Sequence, residues 1–252
     1  MPGSIKALRL HNLLLGGGLT GSQLETELGN TLAAGAFEAS LRQRAVTNAL
    51  KASSTALSIT LASATAFGAC LRQDLTVLDA IFASSSALAA LAGNTAAINV
   101  IAANSGALAK LVASTPAMTA FAGNSVAKMA LYNSSPALTA IAASATAMAA
   151  LRASAQYSVK TATENGTNAV ALGWTGTYIV LGASRSSTTD RNVTVATVRA
   201  GSGISGVIDT DTTADTSAMD TNVAIPLSSA TSFALDGTGT GTIYFGALRC
   251  DV

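Results

Sequence analysis

The sequence predicts an α+β protein: an N-terminal array of short stacked helices, followed by a C-terminal antiparallel β-sandwich or jelly-roll-like domain. Three observations predict it. Large apolar residues recur about every ten positions between Ser53 and Ser154. Turn-forming residues interrupt every period, so no helix runs through it. Beyond Ala155 alanine gives way to threonine, glycine and valine in short alternating runs. The chain divides accordingly into an arm (1–21), capping helices (22–52), a decapeptide helical array (53–154) and a β domain (155–252).

The arm carries Ile5, Leu8, Leu10 and Leu13 to Leu15, then Gly16-Gly-Gly18-Leu-Thr-Gly21. The glycines match G-x-G-x-x-G formally. A dinucleotide site also needs a preceding strand and a βαβ unit, whereas residues 22–52 read as helix with no strand after it. The segment is expected to be a hinge. The leucine run is too short for the core of a secretory leader. His11 is the only histidine, so no zinc set can form around it, and nothing marks a nucleophile elbow; it reads as a packing or surface residue. Ser22-Gln-Leu-Glu25 matches a capping box and opens a helix. A second helix is expected over about residues 31–51, with Leu32, Phe37, Leu41 and Val46 near one face. Glu25, Glu27, Glu38, Arg42, Arg44 and Lys51 give this segment the polar outer surface that the end of an array needs.

In the array, pairs of large apolar residues lie three apart: Leu88 and Leu91, Ile98 and Ile101, Leu108 and Leu111, Met118 and Phe121, Leu138 and Ile141, Met148 and Leu151. Residues three apart share a helix face. One continuous helix would turn each pair about 80° from the last, and no partner could bury the resulting spiral. The helix therefore restarts in each unit. Thr115-Pro116 and Ser135-Pro136 read as N-cap and first-turn proline, and other units start after Ser86, Thr95, Ser105, Ser125 or Thr146. Gly93-Asn94 and Gly123-Asn124 read as left-handed C-terminal turns. The helices are then about six or seven residues long, too short to stand alone in water. Leu78 with Ile81, Phe67 with Cys70 and Leu57 with Leu61 extend the pattern toward its start. One unit departs: Lys128 replaces the first apolar residue, which predicts a kink or an exposed unit.

Eight strands are expected after Ala155: Ser158–Thr163, Asn168–Leu172, Thr177–Leu181, Asn192–Arg199, Ile204–Ile208, Asn222–Leu227, Thr231–Leu235 and Thr242–Leu248. Short strands at this spacing suggest a sandwich or jelly roll. Trp174 and Tyr178 are candidate glycan contacts, because an aromatic face can stack on a sugar ring; core anchors are the alternative. Asp209, Asp211, Asp215 and Asp220 form an acidic loop without EF-hand spacing. Glu164, Asp190, Asp209 and Asp236 offer carboxylates, but no spacing pairs them for glycoside hydrolysis. No enzyme, cofactor or metal site is expected.

Charged residues make up 11% of the chain, against about 25% in ordinary soluble domains. From Ala83 to Leu151 the only charges are Lys110 and Lys128. A surface with so little charge associates readily, and self-association is expected. A net charge of +1 with no basic block excludes nucleic-acid binding as a main task. No run of 18 apolar residues predicts a membrane-inserted helix. Cys70 and Cys250 make no disulfide framework; a bridge between chains through Cys250 and ordinary free thiols are the two readings.

The unit Ser144-Ala-Thr-Ala-Met-Ala-Ala-Leu151, with the lead-in Leu19-Thr-Gly-Ser-Gln-Leu24, resembles segments of structural proteins of tailed bacteriophages, usually tail fibres or related appendages. The resemblance covers about residues 19–155 and carries no catalytic residue. It implies a virion protein. Together with the charge-poor array and the loop aromatics, the expectation is a homotrimer attached to other virion proteins through its N-terminal arm, with the β domain directed at a host surface glycan. The alternative is a purely architectural part: a collar or neck appendage, a head fibre or a capsid decoration protein.

Overall fold

One side-chain oxygen every ten residues sets the register of the helices. The structure, a computed structural model, describes residues 48, 50–165, 169–171, 175–185, 192–199, 202–209, 222–227, 231–236 and 240–252. The arm and most of the capping segment, with His11, Gly16 to Gly21 and Ser22 to Glu25, lie outside the described residues. Among the described residues, helices α1 to α10 span Ser54–Leu61, Ala64–Gln73, Val77–Ala83, Ser85–Ala92, Thr95–Ala102, Ser105–Ala113, Thr115–Ala122, Ser125–Tyr132, Ser135–Ala142 and Ala145–Arg152. Most are eight residues long, slightly longer than the sequence predicts.

The caps are Ser53, Ser63, Ser84, Asn94, Asn104, Ser114, Asn124, Ser134 and Ser144. Each side-chain oxygen accepts from the amide of the alanine three residues on, for example Asn94 Oδ1 from Ala97 N at 3.0 Å. An N-cap bond of this kind is worth about 1 kcal/mol. The starts predicted at Thr115 and Ser135 are therefore one residue late, and those predicted after Thr95, Ser105 and Ser125 are set by the preceding asparagine. Asn94 and Asn124 open the next helix rather than closing the last; both are extended, with φ of −122°. Gly93 has φ −82°, so no left-handed turn ends that helix. Where α2 ends, the period slips by one, and Asp74 Oδ1 accepts from Thr76 N at 2.8 Å instead.

The chain separates into two compact units, 1–120 and 121–252, with the boundary inside α7. In the first, α1 packs on α4, α2 on α5 and α3 on α6. Each helix thus lies against the one three units along. Consecutive helices turn sharply, by 116° from α1 to α2 and 89° from α4 to α5. Three such turns bring the chain back over itself, so a coil of three helices, about 30 residues, is the repeating layer. Asn94 joins layers as well as capping α5: its Nδ2 donates to Leu61 O at 2.8 Å. Inside the coils lie the predicted apolar pairs, Leu108 (5% exposed) and Leu111 (1%) among them. The capped alanines, Ala87, Ala97 and Ala107, are fully buried too. In an interior packed to crystal-like density, a side chain larger than methyl at such a position would overpack it.

In the second unit α8 packs on α9 and α9 on α10. Ser154 Oγ donates to Ala122 O at 3.0 Å, again across one three-helix interval. The unit with Lys128 is neither kinked nor exposed: α8 is a regular helix capped by Asn124, and Lys128 is fully buried.

After α10 the chain forms strands β1 to β8, Tyr157–Asn165, Ala169–Ala171, Tyr178–Arg185, Asn192–Arg199, Ser202–Asp209, Ile225–Leu227, Thr231–Asp236 and Thr240–Arg249. They make two four-stranded antiparallel sheets, ordered β1-β8-β3-β6 and β2-β7-β4-β5. The β1–β8 ladder is the longest, running from Tyr157 opposite Leu248 to Asn165 opposite Thr240. Tyr157 reaches over β8 where a Cβ on Gly246 would sit, so only glycine fits there. Ile179, Val180, Leu181, Leu227, Ala247 and Leu248 form the buried part of this sheet. The segment predicted as a strand over Asn222–Leu227 is shorter: residues 222–224 are irregular and only Ile225–Leu227 pairs, at the sheet edge. Pro226, which has no amide hydrogen, suits an edge and not a central strand.

Candidate functional site

The described concavity with the chemistry of a binding site lies in the second unit, between the α8–α9 corner and the chain entering β6. Its volume is about 670 Å³, within the roughly 300–1,000 Å³ typical of ligand sites. Tyr132, Asn133, Ser135, Leu138, Thr139 and Ala142 form the helical wall. Asn222, Val223, Ala224, Ile225 and Pro226 form the other.

The helical wall arises from the decapeptide pattern. Asn133 ends α8, where its Nδ2 donates to Met129 O at 2.9 Å, and Ser134 then caps α9. The cap places Ser135 and Thr139 on the exposed face and Leu138 inward. Thr139 Oγ1 donates to Ser135 O at 3.0 Å. The opposite wall is fastened by Arg152, the last residue of α10. Its Nη2 donates to Leu181 O at 2.6 Å and to Asn222 Oδ1 at 3.0 Å. One guanidinium thus ties the end of the helices to β3 and to the lead into β6, as a planar fork of donors can.

A second cluster sits at the end of β8. Lys128 Nζ donates to the main-chain oxygen of Val252 at 2.7 Å. Burial pushes the Lys128 ammonium below its ordinary value of 10.5, while Cys250 and Asp251 pull it back up. Cys250 N donates to Thr177 O at 2.8 Å, and Arg249 Nε pairs with Asp251 at 2.8 Å. Gly176, at φ +118°, makes the turn that receives this segment, in a conformation only glycine adopts freely. A lysine at a core position therefore acts as a peg for the last residues of the strand.

The residues singled out from the sequence fall elsewhere. Trp174 lies outside the described residues. Tyr178 is 8% exposed, and its hydroxyl donates to Thr175 O at 3.1 Å. Its ring is a packed part of β3 and offers no open face to a sugar. Asp209 ends β5 and Asp236 ends β7, while Glu164 lies in β1. Asp190, Asp211, Asp215 and Asp220 lie outside the described residues. Among the described residues no group of His, Cys, Asp or Glu could hold a metal ion. Cys70 and Cys250 are free and buried. Burial pushes both thiols up to about 12, so neither is a reactive thiolate poised for a bridge between chains. No described helix is long and apolar enough to cross a membrane.

Sequence reasoning did not find the groove. Its helical wall takes exposed positions of two successive repeats, Asn133, Ser135 and Thr139, which look like every other exposed position, together with the buried Tyr132 and Leu138. Only Pro226 inside an apparent strand hinted that the chain there runs along an edge. No protein-family model matches the chain, and no curated protein matches it either.

Proposed function

We propose that the chain is an oligomeric structural component of a tailed-phage virion, a fibre- or spike-like appendage whose strand region faces the host. The observation that carries this reading is the repetition itself: one capped decapeptide, used over and over, builds coils with almost no charge. Of the two charges between Ala83 and Leu151, Lys128 is buried, which leaves Lys110 alone on that surface. Such a surface suits lateral contact with other copies, and a trimer is the expected assembly. On the described helices, large apolar side chains are not the expected means of joining copies. Among the residues whose side chains are described, only Val126, Val159 and Val252 are both large and exposed.

The strand region is read as a jelly roll. Consecutive strands alternate between the sheets except at β4–β5, and the orders β1-β8-β3-β6 and β2-β7-β4-β5 are those of two interleaved Greek keys. Jelly rolls are common in viral and lectin domains, which fits either a receptor-binding or an assembly role. The architectural alternative, a collar, head-fibre or decoration part, is favoured by one observation: the buried ring of Tyr178 removes an expected sugar platform.

Antibodies raised against the full chain should decorate a discrete appendage on phage particles in electron micrographs. Light scattering of the purified chain should give a multiple of 24.9 kDa, three being expected. Unlabelled particles together with a stable monomer at micromolar concentration would overturn the proposal.

A further inference from the structure

The groove between the α8–α9 corner and residues 222–226 has a donor and acceptor pattern that selects a ligand class. Asn133 spends one Nδ2 hydrogen on Met129 O, which leaves the other to donate and Oδ1 to accept. Thr139 spends its hydroxyl hydrogen on Ser135 O, which leaves Oγ1 able to accept. Ser135 Oγ can donate or accept. Across the groove, Asn222 Oδ1 is taken by Arg152, and Nδ2 remains to donate. Between these rims lie Leu138, Ile225 and Pro226, which present carbon.

No lining residue is charged. The cation nearest the site in the hydrogen-bond network, Arg152, is already committed to Leu181 O and Asn222. A carboxylate or sulfate entering the groove would lose its water without meeting a cation in the lining, a large uncompensated cost. An ammonium would find no carboxylate. An added peptide strand needs a free edge with its amides available, and Pro226 in β6 blunts that edge. A group that offers several hydroxyls to mixed acceptors and donors, and C–H surface to the carbon between them, meets none of these objections.

We propose that this groove binds an uncharged sugar unit of a host-surface polysaccharide. The inference rests on the reading of the strand region as host-facing. It assigns contact to Asn133, Ser135, Thr139 and Asn222, with Arg152 as the positioning residue that holds Asn222.

The test uses the full-length oligomer on an array of neutral oligosaccharides of hexoses and N-acetylhexosamines, beside uronic-acid- and sialic-acid-bearing ones. The wild type is expected to bind neutral members selectively. Ser135→Trp, which fills the groove from its exposed rim, should abolish binding, and Asn133→Ala should weaken it about tenfold. Ser86→Trp, at an exposed repeat position in the other unit, should leave it unchanged, with circular dichroism confirming that each variant folds. Binding confined to acidic sugars would overturn the assignment of ligand class. Neutral binding that survives a folded Ser135→Trp would place the site elsewhere and overturn the groove while keeping host recognition. No binding by the wild type would overturn the groove and the host-facing reading together, and labelling of particles by antibody would still stand as the separate test of virion membership.

Discussion

The helix that carries Leu108 and the helix that carries Lys128 occupy the same place in the decapeptide pattern and use it in opposite ways. Both are capped by asparagine, Asn104 accepting from Ala107 and Asn124 from Ala127. Both bury the residue four positions after the cap, Leu108 at 5% exposure and Lys128 at none. At 108 the buried side chain is a leucine, which contributes by leaving water, roughly 1.5–3 kcal/mol. At 128 the main-chain oxygen of Val252 lies 2.7 Å from the ammonium, so a cation can be held there. The decapeptide therefore fixes where a side chain goes, and its surroundings decide what it may be.

The sharpest way to break this comparison is Leu108→Asp. A carboxylate at 108 would stand where Leu108 is 5% exposed, and the penalty of burying it, on the order of several kcal/mol, is a large part of a domain's stability. Cooperative unfolding of the first unit should be lost in urea titrations followed by circular dichroism. A folded, oligomeric Leu108→Asp would mean that this position faces water and that the coil interior has been assigned to the wrong residues.

Lys128→Ala comes next. It empties a core position and leaves the Val252 oxygen without its donor, at a cost of about 2–4 kcal/mol. Lys128→Met isolates the charge. Burial lowers the folded-state value of this lysine below 10.5, so the unfolded chain holds more protons between the two values. Stability linked to Lys128 must then rise with pH in that window. The difference in urea midpoint between wild type and Lys128→Met should shift in favour of wild type as pH climbs from 7 toward 10.5. A difference that is flat or falls with pH would show that the ammonium is not desolvated in the fold.

These two positions also mark what the sequence discloses and what it hides. The period of ten, the buried pairs and all eight strands are legible, because helix-face spacing and strand alternation are local signals; Asn192–Arg199 is placed to the residue. The caps are read one or two residues late, since a serine, threonine or asparagine stands at several neighbouring positions and only geometry says which oxygen meets Ala97 or Ala137. The three-helix coil is hidden because its contacts join residues some 30 apart, such as Asn94 and Leu61. Lys128 misleads for the same reason: its partner is 124 residues away. The groove is hidden twice over, with walls some 90 residues apart and a floor made of ordinary apolar residues.

The caps sharpen the comparison at smaller amplitude. Asn104→Ala removes one capping bond and should cost about 1 kcal/mol. Asn94→Ala removes a cap and also the 2.8 Å bond to Leu61 O, so its cost should be roughly 1 kcal/mol greater. Asn94→Ser should restore the cap and leave only the loss of the bond to Leu61 O, about 1 kcal/mol. Equal losses at 94 and 104 would mean that the bond between coils adds nothing.

The smallest effect is expected at the array's other lysine. Lys110 Nζ lies 2.8 Å from both carboxylate oxygens of Asp79, with side chains 34% and 56% exposed. An exposed ion pair gives up side-chain freedom for an attraction that water and salt weaken, and pairs of this kind contribute about 0–1 kcal/mol. Lys110→Gln should therefore shift the urea midpoint barely at all at about 0.15 M salt, where the screening length is about 8 Å. At low salt a small loss should emerge. A loss as large as that of Lys128→Ala would mean that Lys110 is covered where copies of the chain meet, because only desolvation could raise the worth of that pair so far.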